Sequence, residues 1–139
     1  MAKTRFESAV KHIPFPQQAV YEMLSDLANI GKVADRVPED KIKDMVYDHD
    51  SVSLTVDMLG RLSLRVCDRE EPKLVKLQTE QSPVPFYVWL QMLPVGEDSS
   101  KLKVTAEADL NPFILKMVEK QLQEGVEQIA DGLASIDYS

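Results

Sequence analysis

Apolar and polar positions alternate from residue 4 to residue 12, with Phe6, Ser8, Val10 and His12 on one face and Arg5, Glu7, Ala9 and Lys11 on the other. A period of two with one polar face predicts a half-buried strand. Pro14-Phe15-Pro16 ends it, and Pro16 suits the first turn of a helix, where its missing N–H costs little. Val20, Met23, Leu24, Leu27 and Ile30 then recur at spacings of three and four, predicting an amphipathic helix that ends near Asn29-Ile30-Gly31. A polar helical piece over 32–36 is expected before Pro38.

Short alternating runs follow. Residues 41–47 are the least regular, since neither face is cleanly apolar. Val52, Leu54 and Val56 form one run and Leu62, Leu64 and Val66 the next, with Gly60 supplying the turn between them. Val75, Leu77 and Thr79 come after Glu71-Pro72. An aromatic-rich run, Phe86–Leu93, is expected to stop at Pro94. Leu102, Val104, Ala106 and Ala108 close the series. The connections are short, as antiparallel neighbours require.

The final segment is a helix by several independent signals. Asn111 is a good N-cap and Pro112 a good first helical residue. Phe113, Ile114, Met117, Val118, Leu122, Val126, Ile129, Leu133 and Ile136 keep helical spacing. Residues 112–136 would span about 37 Å at 1.5 Å per residue, enough to cross a sheet. The order strand, helix, six strands, long helix predicts one α+β domain over residues 1–139. In it a curved antiparallel sheet of about seven strands wraps a C-terminal helix.

That order, with Phe15-Pro16-Gln17-Gln18-Ala19-Val20-Tyr21-Glu22-Met23-Leu24-Ser25-Asp26-Leu27-Ala28-Asn29-Ile30 and the late Pro112-Phe113, resembles the START-related helix-grip superfamily (SRPBCC). The superfamily includes the plant pollen-allergen fold, lipid-transfer domains and polyketide cyclases. The resemblance covers nearly the whole chain and is specific for fold rather than chemistry. One departure is that Gly31-Lys32-Val33 stand where many members carry a tryptophan. The resemblance implies a cavity between sheet and helix that takes lipids, polyketides or other small apolar molecules.

Composition narrows the partners. With 16 Lys+Arg against 23 Asp+Glu, the net charge is -7. Up to Glu70 the counts are 10 against 12, and beyond it 6 against 11, so neither half is a basic arm built to neutralise phosphates. No nucleic-acid partner is expected. Nor is a membrane span, since no apolar stretch approaches the roughly 18 residues one needs. Cys67 is the sole cysteine, and the first residues show no apolar targeting core, so a soluble cytoplasmic setting is the expectation.

Candidate chemistry is sparse. His12 and His49 lack metal-ligand spacing, Asp48-His49-Asp50 reads as a polar turn, and Cys67 reads as a small packing residue. No metal site, cofactor motif or catalytic constellation is expected. Two features bear on a cavity. With Val118 set at the centre of the helical stripe, Gly125 and Gly132 fall near its middle, which means either close backbone approach or room left for a ligand. Met23, Met45, Met58, Met92 and Met117 suit irregular apolar contents, or simply a core.

The expected lining is Phe6, Leu24, Val56, Leu64, Leu77, Phe86, Val88, Leu90, Val104, Phe113, Met117, Gln121 and Gly125. Three functions follow. The first is carriage of a small apolar ligand. The second is a cyclase or aromatase-like activity using inward Ser8, His12, Thr79 or Gln121. The third is a co-chaperone-like interaction module. Strand 86–93 is apolar on both faces, so Tyr87 and Trp89 either lie across neighbouring Lys and Glu stems or form a homodimer surface.

Overall fold

The computed structural model describes residues 2–30, 42–56, 60–81, 85–136 and 138. The chain begins with strands β1 (Ala2–Glu7) and β2 (Lys11–Ile13), then helix α1 (Gln17–Leu24) and a 3-10 turn (Leu27–Ile30). A meander follows: β3 (Ile42–Tyr47), β4 (Ser51–Val56), β5 (Gly60–Glu70), β6 (Leu74–Gln81), β7 (Phe86–Val95) and β8 (Ser99–Leu110). Helix α2 (Pro112–Ala134) ends the fold. All pairings are antiparallel. The sheet order is β1-β8-β7-β6-β5-β4-β3, with β2 also on β8. This is the expected α+β helix-grip arrangement. The polar piece over 32–36 and Gly31-Lys32-Val33 lie outside the described residues.

The sheet has eight strands rather than about seven because the first predicted strand is two. Phe6 pairs with Ala106 but Lys11 with Leu102, so one extra residue is inserted between them. Ser8 makes the break. Its N–H donates to the Val104 carbonyl at 2.8 Å, and its Oγ accepts from the Val104 N–H at 2.9 Å. A single inserted residue moves every later side chain to the other face. His12, expected inward, is therefore exposed on the outer face, while Lys11 and fully buried Ile13 turn inward.

Two more irregularities explain other departures. The register of β3 shifts between Lys43 and Val46, where Asp44 adopts φ 54°, so its alternation is broken in the sequence too. In β5 a bulge at Cys67 leaves the thiol exposed rather than packed. Strand β7 continues through Pro94, which pairs with Ser100. β6 ends opposite Gln91, so this stretch of β7 has one neighbour and a missing N–H is tolerated. Helix α1 stops at Leu24. Beyond it the Asp26 carboxylate accepts from the Ala28 N–H at 2.9 Å, and the chain tightens into the 3-10 turn.

Helix α2 begins as expected, with the Asn111 side chain accepting from the Ile114 N–H at 2.9 Å and Pro112 in the first turn. Its 23 residues span about 34 Å. The buried stripe is not centred on Val118. It runs through Leu115, Leu122, Val126, Ala130 and Leu133, about 60° around the helix. Phe113, Met117 and Ile129 pulled the expected centre the wrong way: they are 83%, 75% and 48% exposed. Gly125 and Gly132 lie on the flank, and a Cβ at either would have nothing within 4 Å. Close backbone approach therefore does not account for these glycines.

Candidate functional site

Cross-strand partners share a face, so the register defines the concave side of the sheet. Val52, Leu54, Leu62, Leu64, Val66, Val75, Leu77, Thr79, Phe86, Val88, Leu90, Met92, Leu102, Val104, Ala106 and Ala108 point inward from β4 to β8. Phe6 and Thr4 join them from β1. The inner face of β7 is thus Phe86, Val88, Leu90 and Met92.

Burial along this face is uneven. Val75, Met92, Leu102 and Val104 are fully buried, beneath α1 and the second half of α2. Leu54, Leu64, Val66, Phe86, Val88 and Ala106 are only partly buried, although Leu62, Leu77 and Ala108, paired with Leu54, Val88 and Phe86, are buried. The first half of α2 shows the same change: Ile114, Leu115, Val118 and Leu122 are partly buried, whereas Val126, Ala130 and Leu133 are buried. The close approaches of α2 to strands are to β1, β2 and β8. The concave side of β4 to β7 therefore keeps an apolar surface that α2 does not press flat. This end of the sheet is the candidate site.

The anchoring of α2 matches that asymmetry. Its second half is pinned at the β1–β2 break: Ala9 N–H donates to Glu127 Oε1 at 2.6 Å, and Gln123 Nε2 donates to the Glu7 carbonyl at 2.9 Å. Lys11 Nζ lies 2.8 Å from Asp131 Oδ1 and 3.1 Å from Glu127 Oε2. The Ala9 N–H, followed by Lys11, holds the Glu127 carboxyl below its ordinary range, and Asp131 first, then Glu127, raise the Lys11 ammonium.

A second polar hub closes the α1 end. After the bulge at Cys67, Arg69 pairs with Val75 and so turns inward; its Nε donates to the Ser25 carbonyl at 3.0 Å and its guanidinium meets Asp50 at 2.9 Å. His49 Nδ1 is 2.9 Å from Asp26 Oδ1. Asp48 accepts from the Asp50 and Ser51 N–H groups and the Ser51 hydroxyl, so Asp48-His49-Asp50 is the polar turn expected. The Ala28 N–H, then His49, lower the Asp26 carboxyl, and the Asp50 N–H leads the lowering of Asp48. Sequence spacing could not reveal Arg69 here, because the bulge reverses its face.

Of the expected lining, Leu64, Phe86 and Val88 lie in the accessible part of the concave face. Phe6, Leu24, Leu77, Leu90 and Val104 are in the buried core adjoining it. Phe113 and Met117 face solvent instead, Gln121 is exposed, and Gly125 is on the flank of α2. The Val56 side chain and Met58 lie outside the described residues. Leu54, Val66, Ala106, Ile114, Val118 and Leu122 belong to the same surface and were not singled out. Pairing register and the true centre of the α2 stripe were the missing signals.

Among the inward candidates for chemistry, the Ser8 hydroxyl is committed to Val104. Thr79 Oγ1 accepts from the Phe86 N–H at 3.2 Å. Among the described residues, no buried side-chain polar atom lacks a hydrogen-bond partner, and no three metal-ligating side chains cluster. On the outer face, Arg5 lies 5.9 Å over the Trp89 ring and Lys76 5.2 Å from it and 4.7 Å from the Tyr87 ring. Trp89 thus lies under cationic side chains, as the first of the two sequence readings has it. No helix among the described residues is long and apolar enough to cross a membrane.

No family model and no curated protein sequence matches the chain. Solved structures do match its fold, at low identity. Norcoclaurine synthase from Thalictrum flavum superposes with a TM-score of 0.75 at 15% identity, over 96% of this chain and 85% of that one. A START superfamily protein from Mycobacterium smegmatis gives 0.69 at 17%, over 95% and 94%. A Streptomyces aromatase/cyclase gives 0.69 at 15%, over 96% and 92%. The chain therefore has the helix-grip fold that these structures share. The likeness is one of backbone; the chemistry must come from this chain's own side chains.

Proposed function

We propose that the chain binds a small, mainly apolar molecule, a lipid, polyketide or similar, between the concave face of β4 to β8 and the first half of α2, and carries it unchanged. The partial exposure of Leu54, Leu64, Val66, Phe86 and Val88 on an otherwise buried apolar face supports this reading. Ligand burial there would contribute about 25 cal/mol per Å² of apolar surface. Catalysis by acid–base transfer needs a titratable group within reach of the reacting atom. The described inward side chains from β1, β3 and β6 offer the hydroxyls of Thr4, Tyr47 and Thr79 rather than an acid–base pair, which favours carriage over a cyclase-type reaction.

The test is titration with an apolar fluorophore such as anilinonaphthalene sulfonate. Wild-type protein should enhance its emission saturably. Val88→Trp and Leu64→Trp, each placing an indole in the proposed space, should weaken binding about tenfold, equivalent to ~1.4 kcal/mol, with an unchanged urea midpoint. If the space is already a filled core, both variants should instead lose about 1–3 kcal/mol of stability. Such losses without any change in fluorophore binding would overturn the proposal.

A further inference from the structure

The pairing register sorts the inward side chains into rows that run across the strands. One row reads Tyr47, Val52, Leu64 and Thr79 from β3 to β6, each paired with the next. The Phe86 N–H, donating to Thr79 Oγ1 at 3.2 Å, carries the row onto β7, and Ala108 and Thr4 complete it on β8 and β1. The neighbouring row holds Val66, Leu77, Val88, Ala106 and Phe6. The inward side chains of both rows are uncharged.

Thr79 stands in the middle of this surface. Leu64 and Phe86 lie on either side of it, and Val66 and Val88 flank Leu77, the next inward residue of its own strand. These four flanking side chains are among the partly buried apolar residues on which the ligand reading rests. A threonine hydroxyl has one hydrogen to donate and two lone pairs. The bond from Phe86 fixes the oxygen, and among the described residues nothing accepts its hydrogen. The other two hydroxyls of the row are placed differently. Tyr47 is on the edge strand β3 and 40% exposed, so water reaches its phenol, and Thr4 is on the opposite edge strand, which α2 approaches closely.

We propose that Thr79 orients the ligand, its hydroxyl donating a hydrogen bond to an uncharged acceptor oxygen, a ketone, ester or ether, on an otherwise apolar molecule. The proposal rests on the ligand reading above and adds a specificity to it. Apolar pockets fix orientation through a few polar groups. An ionised group among these two rows would be buried without a counter-charge, which is strongly unfavourable.

Equilibrium dialysis with methyl naphthyl ketone and ethylnaphthalene provides the test, since the two probes share a shape and differ by a carbonyl against a methylene. The wild type should take up both. Thr79→Val should weaken the ketone about three- to tenfold, the worth of one net hydrogen bond, and leave ethylnaphthalene unchanged. The same substitution removes the acceptor of the Phe86 N–H, a loss that both probes would feel alike. Thr79→Ser, which keeps donor and acceptor, should bind the ketone as the wild type does. In the wild type the carbonyl stretch of the bound, isotope-labelled ketone should lie below its value in an apolar solvent, a readout that needs no variant. Equal weakening of both probes, no weakening of the ketone, or an unshifted carbonyl stretch overturns the role of Thr79 and leaves ligand carriage standing. A wild type that takes up neither probe overturns both.

Discussion

Individual residues in this chain act mainly through where a bulge or a helical turn points them. Gly125 and Gly132 sit within α2 with open space around them, so neither is required by packing. Replacing each with alanine should raise stability by ~0.5–1 kcal/mol through helix propensity, read as a higher urea midpoint in dilute protein. A lower midpoint would show that the flank is packed after all. Asp26, Asp48 and Glu127 set the acid response. Backbone N–H groups, of Ala28, Asp50 and Ala9 respectively, lead in holding their carboxyls below the usual 3.8 for Asp and 4.5 for Glu. Their stabilisation is therefore complete above those ordinary values and is lost as pH falls through the lower folded ones. Urea midpoints should hold from neutral pH to about pH 5 and fall toward pH 3, and Glu127→Gln should make that fall shallower. An unchanged slope in Glu127→Gln would mean that the Ala9 and Lys11 contacts carry no net stability.

At the scale of elements, Ser8 decides how the N-terminal strand meets β8. Ser8→Ala leaves the buried Val104 N–H without its acceptor and should cost about 1–3 kcal/mol, measured by chemical denaturation. A near-neutral substitution would show that the β1–β2 break does not depend on the hydroxyl. The same residue shows what the sequence can and cannot disclose. Alternation located β4 to β8, and Asn111-Pro112 located the start of α2, because these signals are local and each residue's neighbours along the chain carry them. The insertion near Ser8, the Asp44 turn and the Cys67 bulge are set by pairing partners far away in the chain. Each reverses a face, so His12, Cys67 and Arg69 could not be oriented from spacing. The centre of α2 failed for a related reason. Exposed and buried apolar residues look alike in a periodicity, and Phe113 and Met117 counted as core while facing solvent.

At the scale of the molecule, two polar anchors hold the helices against the sheet. The β1–β2 break grips the second half of α2 through Glu127, Gln123 and Lys11, and Arg69 ties α1 to the β3–β4 turn. Both anchors adjoin the closed end of the apolar layer, and the accessible end lies toward the first half of α2. Strand alternation put Leu64, Phe86 and Val88 on the concave face, where they are partly buried. On α2, Ile114, Val118 and Leu122 are partly buried, whereas Phe113 and Met117 face solvent, which spacing alone did not tell apart. The central claim is that a small apolar molecule occupies the accessible end. Native mass spectrometry of freshly purified protein, followed by solvent extraction, tests it most directly. The account predicts a discrete added mass on the 15.7 kDa chain that extraction removes and whose fragments identify an apolar molecule. The bare chain mass in every preparation, together with no saturable uptake of an apolar fluorophore, would contradict it.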